Sequence, residues 1–111
     1  MSAKTLPVVV AAGMLLGVLP AAADETGLAG IHDMRREGRR VCFPDHFHSG
    51  SGNGPSKKVA IAQAIGSWQD FTTLEYGSSW GQWSKAGSKK IGCAPSGGGQ
   101  WSCQIEARPC K

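Results

Sequence analysis

The sequence lacks the features that would build a membrane span or a familiar enzyme. No long apolar run follows residue 19, and aromatic residues make up 7% of the chain. The two nearest cysteines are Cys103 and Cys110, so the C-x-x-C pair typical of zinc sites is missing. The G-x-S-x-G turn of serine hydrolases and a lysine-bearing phosphate loop are missing too. We therefore expect no enzymatic activity and no cofactor.

The first 23 residues have the pattern of a cleaved export signal. Lys4 precedes an apolar run from Leu6 to Leu19, and the small side chains that end at Ala23 suit signal peptidase. That run is too short for a comfortable membrane span. We expect cleavage near Ala23, a mature chain starting at Asp24 without a transmembrane segment, and a periplasmic or secreted location.

All four cysteines fall in the mature chain, which has only about 88 residues and can bury only a small core. In an oxidising compartment an even set of cysteines predicts disulfide bonds, which add the stability that such a core lacks. Two disulfides are our main interpretation, and a zinc site is the alternative. The cysteines are Cys42, Cys93, Cys103 and Cys110.

Residues 89–107 predict a β-hairpin, because apolar and polar residues alternate on both sides of turn material at 95–99. If Ile91 faces Ile105, Cys93 lies opposite Cys103, where a cross-strand bridge is sterically available.

That pairing leaves Cys42 to join Cys110. A shift of one residue in the hairpin register would turn one cysteine of the other pair to the opposite face, so other pairings stay open.

One helix is predicted between two capping signals. Ser56 can cap the amino terminus at Lys57, and Gly77 can end the helix after Tyr76. Its apolar stripe and the hairpin together give an α+β fold, one amphipathic helix packed on a small antiparallel hairpin or sheet and braced by disulfides. The expected core consists of Ile61, Ile65, Trp68, Phe71, Ile91 and Ile105, with Trp80 or Trp83 as further candidates.

The remaining segments complete the organisation. Residues 24–40 are charged and interrupted by glycine, which predicts a flexible arm or short helix. Residues 41–43 could form a short strand or a docking segment, and residues 49–55, S-G-S-G-N-G-P, predict a loop. The disulfide-braced domain then spans residues 41–111.

A cluster of Asp45, His46 and His48 is the main candidate for chemistry, with His32 as a further ligand upstream. Residues two apart in an extended segment point to the same side, so both imidazoles could bind one zinc, copper or nickel ion. The alternative is that one histidine packs in the fold while the other is solvated.

Positive charge is the second feature that bears on function. Removing the signal leaves eleven lysines and arginines against eight acidic residues. Most lie in three small clusters that could meet an anionic envelope polymer or lipid head groups, while nucleic acid is not an expected partner in this compartment. The candidate anion-binding residues are Arg35, Arg36, Arg39, Arg40, Lys57, Lys58, Lys89 and Lys90, with Lys85 nearby.

Four tryptophans are many for so short a chain. Exposed together, two or three could form a platform for a glycan or peptide; buried, they would supply apolar area that the few large aliphatic residues do not. Core filling is the preferred interpretation. The four are Trp68, Trp80, Trp83 and Trp101.

Three stretches of the mature chain resemble a set of small exported proteins of Gram-negative bacteria that have no assigned function. The stretches are C-F-P-D-H-F-H-S-G-S-G, W-Q-D-F-T-T-L-E-Y-G-S-S-W-G-Q-W-S-K-A and W-S-C-Q-I-E-A-R-P-C. The resemblance implies a periplasmic or secreted protein with disulfides, and no ligand or reaction.

Together these features predict a small, exported, non-enzymatic binding module of the envelope or the secreted fraction, with a basic, tryptophan-bearing surface. A histidine-dependent metal-binding protein is the first alternative, and a small hydrolase or enzyme inhibitor is the second. The partner of the predicted binding module could also be another exported protein.

Overall fold

The structure, a computed structural model, describes residues 25–111, so the predicted signal peptide lies outside the described residues. A short 3-10 helix at Leu28–Ile31 comes first, and another at Trp83–Lys85 precedes the hairpin. The remaining elements are β1 (Arg35–Glu37), β2 (Arg40–Cys42), β3 (His48–Gly54), α1 (Lys57–Tyr76), β4 (Gly87–Gly97) and β5 (Gln100–Arg108).

The fold is α+β, as predicted. Strands β1 and β2 form a two-stranded antiparallel ribbon, and a second antiparallel sheet has the order β3-β5-β4. Helix α1 packs mainly on β3 and β5. None of the helices in residues 25–111 is long and apolar enough to cross a membrane.

The helix has the predicted bounds, and its amino-terminal cap is of the predicted kind. The hydroxyl of Ser56 accepts a hydrogen bond from the amide of Val59, which satisfies one of the free donors at the helix start. Gly77 follows the last residue of the helix with a φ of 112°, a conformation that favours glycine.

The predicted hairpin and both disulfides are confirmed. Ile91 faces Ile105 and Cys93 faces Cys103 in the β4–β5 register, and the two cysteines form a disulfide.

The second disulfide joins Cys42 to Cys110, so the end of β2 is tied to the residues that follow β5. No cysteine in the described residues is free. The zinc alternative for the cysteines is therefore wrong in this structure.

The prediction of a loop at residues 49–55 is wrong, because most of this stretch is strand β3. Its residues alternate between exposed serine or asparagine and buried glycine. The glycines face α1 so closely that a Cβ at Gly50 or Gly52 would overlap the carbonyl oxygen of Ala64 or Ala60. Glycine therefore serves here as the packing face of a strand under a helix.

Because of this close approach, the buried stripe of the helix differs from the predicted one. The core predictions for two residues are wrong, since Phe71 is 45% exposed and Ile91 is 50% exposed. Ile91 lies on the outer strand β4, beyond the cover of the helix, and the glycine strand accepts small side chains at the centre of α1. The buried stripe is Ala60, Ala64, Trp68, Thr72 and Tyr76, while Ile61 and Ile65 are half-buried beside it.

The core has two parts. Trp68 and Ile105 are buried together between α1 and the three-stranded sheet, as predicted. A second cluster holds Phe43, Tyr76 and Trp80 under the amino-terminal segment, and the rings of Phe43 and Trp80 are stacked with centroids 4.4 Å apart.

The segment expected to be a flexible arm contains regular elements from residue 28 onward. Strand β1 lies in it, and Glu37 of that strand forms an ion pair with the buried Arg108 of β5. Thr26 hydrogen-bonds the backbone carbonyls of Glu75 and Tyr76. The amino-terminal segment is thus fastened to the end of α1.

Candidate metal centre

Three potential metal ligands converge where the start of β3 meets the end of α1. His48 is the first residue of β3 and points toward the helix, as the glycines after it do. His46 lies two residues earlier, and Glu75 lies in the last turn of α1. One donor atom from each residue lies within 4.8 Å of the other two.

The distances between these atoms are short. The Nε2 atoms of His46 and His48 are 3.1 Å apart. Oε1 of Glu75 is 3.4 Å from Nε2 of His48 and 4.0 Å from Nε2 of His46. Within the part of the chain that the structure describes, no other histidine, cysteine or carboxylate belongs to such a group.

His48 is held in place by the helix. Its ring is 3% exposed, and Nδ1 lies 2.8 Å from Oγ1 of Thr72, one turn before Tyr76. With its proton on Nδ1, His48 donates to Thr72 and keeps the lone pair of Nε2 free. The side chain of Trp68 secures the strand here, because its indole N–H donates to the carbonyl of His48 at 3.0 Å.

The order threonine, histidine, glutamate resembles the relay of a hydrolase, but its hydroxyl is inaccessible. Thr72 is fully buried in the helix–sheet interface, so Oγ1 cannot reach a substrate. The contact between Thr72 and His48 therefore serves to orient the imidazole, as the outer partner of a ligating histidine commonly does.

Tyr76 links this group to a third histidine. Its hydroxyl lies 2.7 Å from Nε2 of His46 and 3.0 Å from Nε2 of His32, so it can donate to either ring. The rings of His32 and His46 are stacked with centroids 4.4 Å apart. His32 is a neighbour of the centre and not a member of the group of three.

Burial sets the charge of these groups. It lowers the pKa of His46, an effect that His32 adds to and Glu75 opposes. It likewise lowers the pKa of His48, against the attraction of Glu75. Burial raises the pKa of the Tyr76 phenol, and Glu75 adds to that effect. At neutral pH the two imidazoles are therefore largely neutral, the form that binds metal, and Tyr76 keeps its proton.

The structure brings two of the three predicted metal ligands together. His46 and His48 lie together as the spacing suggested, but Asp45 is exposed and is not in the group. Glu75 takes the place that the sequence analysis gave to Asp45 or His32. A signal for it was present, since Thr72, Glu75 and Tyr76 have the i, i+3, i+4 spacing of one helix face.

An open pocket of about 290 Å³ adjoins the centre. His32 and His46 form one part of its wall, and Asp33 and Asp45 line it as well. Its apolar lining consists of Ile31, Phe43 and Pro44.

The predicted anion-binding residues do not form one patch. Arg35 pairs with Glu37, and Arg40 donates to the backbone carbonyls of Lys85 and Ala86. The ribbon carries Arg35, Arg36, Arg39 and Arg40, whereas Lys57 and Lys58 begin α1 and Lys89 and Lys90 lie on β4. Lys57 lies over Trp101, Lys89 over Trp83, and Lys90 is 3.8 Å from Glu106.

The tryptophans do not share a surface. Trp68 and Trp80 are fully buried. Trp83 packs against Trp68 near one end of the three-stranded sheet, and Trp101 pairs with Gly54 and Pro95 at the other end. Core filling is therefore confirmed for the two buried rings.

Comparison of the chain with protein-family models, with curated proteins and with solved structures finds no significant match.

Proposed function

We propose that this protein binds a divalent transition-metal ion, zinc or a close analogue, through His46, His48 and Glu75. The observation that carries the proposal is the convergence of their three donor atoms. Atoms separated by 3.1, 3.4 and 4.0 Å share a point in their plane that lies about 2.1 Å from each, and bonds from zinc to histidine nitrogen or carboxylate oxygen have this length.

Proton counting supports the same conclusion. If His48 donates its only proton to Thr72, the Nε2 atom that faces Glu75 and His46 carries a lone pair. If Tyr76 donates to Nε2 of His32 and His46 carries its proton on Nδ1, Nε2 of His46 presents a lone pair as well. Two lone pairs and a carboxylate oxygen repel one another at these distances, and a cation between them turns the repulsion into attraction.

The donor set favours borderline metals. Two imidazoles with one carboxylate suit zinc, copper or nickel, whereas calcium and magnesium prefer oxygen ligands alone. Of these ions zinc has the least demanding geometry, because its filled d shell imposes none.

We further propose that the protein is exported and acts in an oxidising compartment. The two disulfides support this, since such bonds persist in the periplasm and outside the cell and are rare in the cytosol. The charged, apolar and small-residue order of residues 1–23 supports it independently.

Calorimetric titration of the oxidised protein with zinc and with copper tests the metal site. We expect one ion per chain, and at least a hundredfold weaker binding in the His46→Ala, His48→Ala double variant. His32→Ala is the matched control, because it removes a histidine outside the group of three and should change the affinity by only a few fold. Equal binding by the wild type and the double variant would refute the site.

Glu75→Gln tests the third ligand with almost no change of shape. The amide loses the charge that attracts the cation, so we expect at least tenfold weaker zinc binding. Circular dichroism of each variant separates a lost ligand from a lost fold.

The basic residues support a second proposal, a weak anion-binding surface. Arg36, Arg39 and Lys58 are exposed, so they are free to meet an anionic polymer or lipid head group. Retention on a heparin column should then fall steeply with salt, since this attraction is screened within about 10 Å at 0.1 M. Retention that does not depend on salt would argue against this proposal.

A further inference from the structure

We infer that the bound ion keeps one coordination position open, and that this position takes a neutral planar nitrogen base of the imidazole class in preference to an inorganic anion. The inference rests on the proposed metal site. It concerns the pocket beside that site, which plays no part in holding the ion.

The first step is the number of ligands. Zinc sites that only stabilise a fold have four protein ligands, whereas sites that exchange ligands have three and an open position. Within residues 25–111 the group contains three residues. The hydroxyl of Tyr76 can donate to Nε2 of His32 at 3.0 Å, which makes it a hydrogen-bond donor beside the group and leaves Nε2 of His46 to the ion.

The second step is access. A metal ion near the plane of three donors is open on both sides of that plane. His48 is buried, but the side chains of His46 and Glu75 are 35% and 32% exposed. The centre therefore has a buried side, toward Thr72, and a side that solvent reaches.

The third step is the chemistry of the pocket that adjoins the centre at His46. Its acidic lining residues are Asp33 and Asp45, and none of its lining residues is a lysine or arginine. Carboxylates close to the ion oppose the entry of a second anion. The apolar contribution of Ile31 and Pro44 favours an uncharged ring instead.

The test uses the folded, oxidised protein loaded with cobalt(II), whose visible absorption reports the ligands of the ion. Cobalt loading is measured first, and imidazole and azide are then titrated separately. We expect imidazole to shift the cobalt bands and to bind at least several fold more tightly than azide.

The variant Asp33→Asn, Asp45→Asn isolates the role of charge. Removing two charges from the lining of the pocket should strengthen azide binding by about fivefold and change imidazole binding by less than about twofold. Asp70→Asn is the matched control, because Asp70 is an exposed aspartate of α1 that does not line the pocket, and it should leave both affinities unchanged.

The outcomes separate the two proposals. If no cobalt binds, the metal site and this inference both fail. If cobalt binds but neither compound alters its spectrum, the metal site stands and the open position is refuted. If azide binds more tightly than imidazole, the stated preference for a neutral base is refuted. If the Asp33→Asn, Asp45→Asn variant matches Asp70→Asn, the argument that the pocket carboxylates cause this preference is refuted.

Discussion

Two buried polar centres in this protein satisfy their charges in different ways. In the first, the guanidinium of Arg108 contacts both carboxylate oxygens of Glu37 at 2.6 and 2.7 Å, and it also donates to Ser88 and to the carbonyl of Phe43. The second is the group of His46, His48 and Glu75. Both bring a carboxylate to nitrogen atoms, but only in the first does every contact have a fixed N–H donor, whereas the proposed tautomers of His46 and His48 leave both Nε2 atoms without a proton.

The comparison separates a structural polar centre from a candidate binding centre. Arg108 lies opposite a fixed anion and has partners on three of its nitrogens, so nothing further can bind there. The histidine centre directs lone pairs toward one point and keeps two of its three side chains a third exposed. The second centre is distinguished by electron-rich donor atoms that no cation neutralises, and by its access from solvent.

We call the pair of Arg108 and Glu37 the closed centre, and the group of His46, His48 and Glu75 the open centre. Breaking the closed centre should have the largest effect on stability. Arg108→Ala leaves the carbonyl of Phe43 without its side-chain donor and leaves Glu37 with only the exposed Arg35. The environment is nearly dry, because the side chain of Arg108 is 8% exposed. Removing one member of a buried pair typically costs about 3–5 kcal/mol. We expect a loss of this size in the free energy of unfolding, measured with urea.

Arg35→Ala provides the control, because Arg35 also contacts Glu37, at 2.9 Å, but is 61% exposed. Exposed ion pairs contribute less than about 1 kcal/mol. Similar losses in Arg108→Ala and Arg35→Ala would mean that the centre of Arg108 is not closed to water.

Acid should weaken the closed centre in a defined pH range. Hydrogen bonds from Arg108, reinforced by Arg35, hold the pKa of Glu37 down to about 2, against an ordinary value of 4.5. A lowered pKa in the folded state means stability that is fully present above pH 4.5 and is lost as the pH falls toward 2. We expect this part to be about 2–3 kcal/mol.

The effect is isolated by comparing the wild type with Glu37→Gln across the pH range. The difference between their free energies of unfolding should shrink as the pH falls below 4.5, because a protonated glutamate and a glutamine behave alike. A difference that stays constant down to pH 2 would contradict the assignment to Glu37.

Zinc should stabilise the open centre without affecting the closed one. At a hundred times the dissociation constant, a ligand that binds only the folded state raises the free energy of unfolding by about 2.7 kcal/mol. We expect this gain in the wild type and in Arg108→Ala, measured with urea at fixed zinc, and a gain of at most about 1.4 kcal/mol in Glu75→Gln, which binds zinc at least tenfold more weakly. A gain that depends on Arg108 would show that the two centres are coupled.

Most of the fold could be predicted from the sequence, because the patterns that indicate it are local. The helix caps at Ser56 and Gly77 and the alternation around Ile91 and Ile105 involve neighbours along the chain, so the bounds of α1 and the hairpin register followed from them. Strand β3 was missed because glycine usually marks loops. Its alternation with serine and asparagine has the period of a strand, and its meaning emerges only with the helix that packs on it.

The candidate site was half predictable for the same reason. His46 and His48 are two residues apart, so an extended backbone suffices to bring them together. Glu75 comes from the far end of α1, and its approach depends on how closely the glycine strand admits the helix. The closed pair of Arg108 and Glu37 spans 71 residues of sequence and has no local pattern at all.

The smallest expected effect tests whether the buried hydroxyl of Thr72 orients the imidazole of His48. Thr72→Val keeps the buried volume but removes the oxygen that lies 2.8 Å from Nδ1 of His48. Loss of such an outer partner typically weakens metal binding by about 10–100-fold, and we expect the lower end because Trp68 still holds the carbonyl of His48.

Thr73→Val is the matched control, since it makes the same substitution at the next position, which does not contact His48. Zinc titration of both variants gives the answer. If Thr72→Val binds zinc as tightly as Thr73→Val does, the position of His48 is set by the strand alone. The open centre would then differ from the closed one in its protons, and not in how rigidly its groups are held.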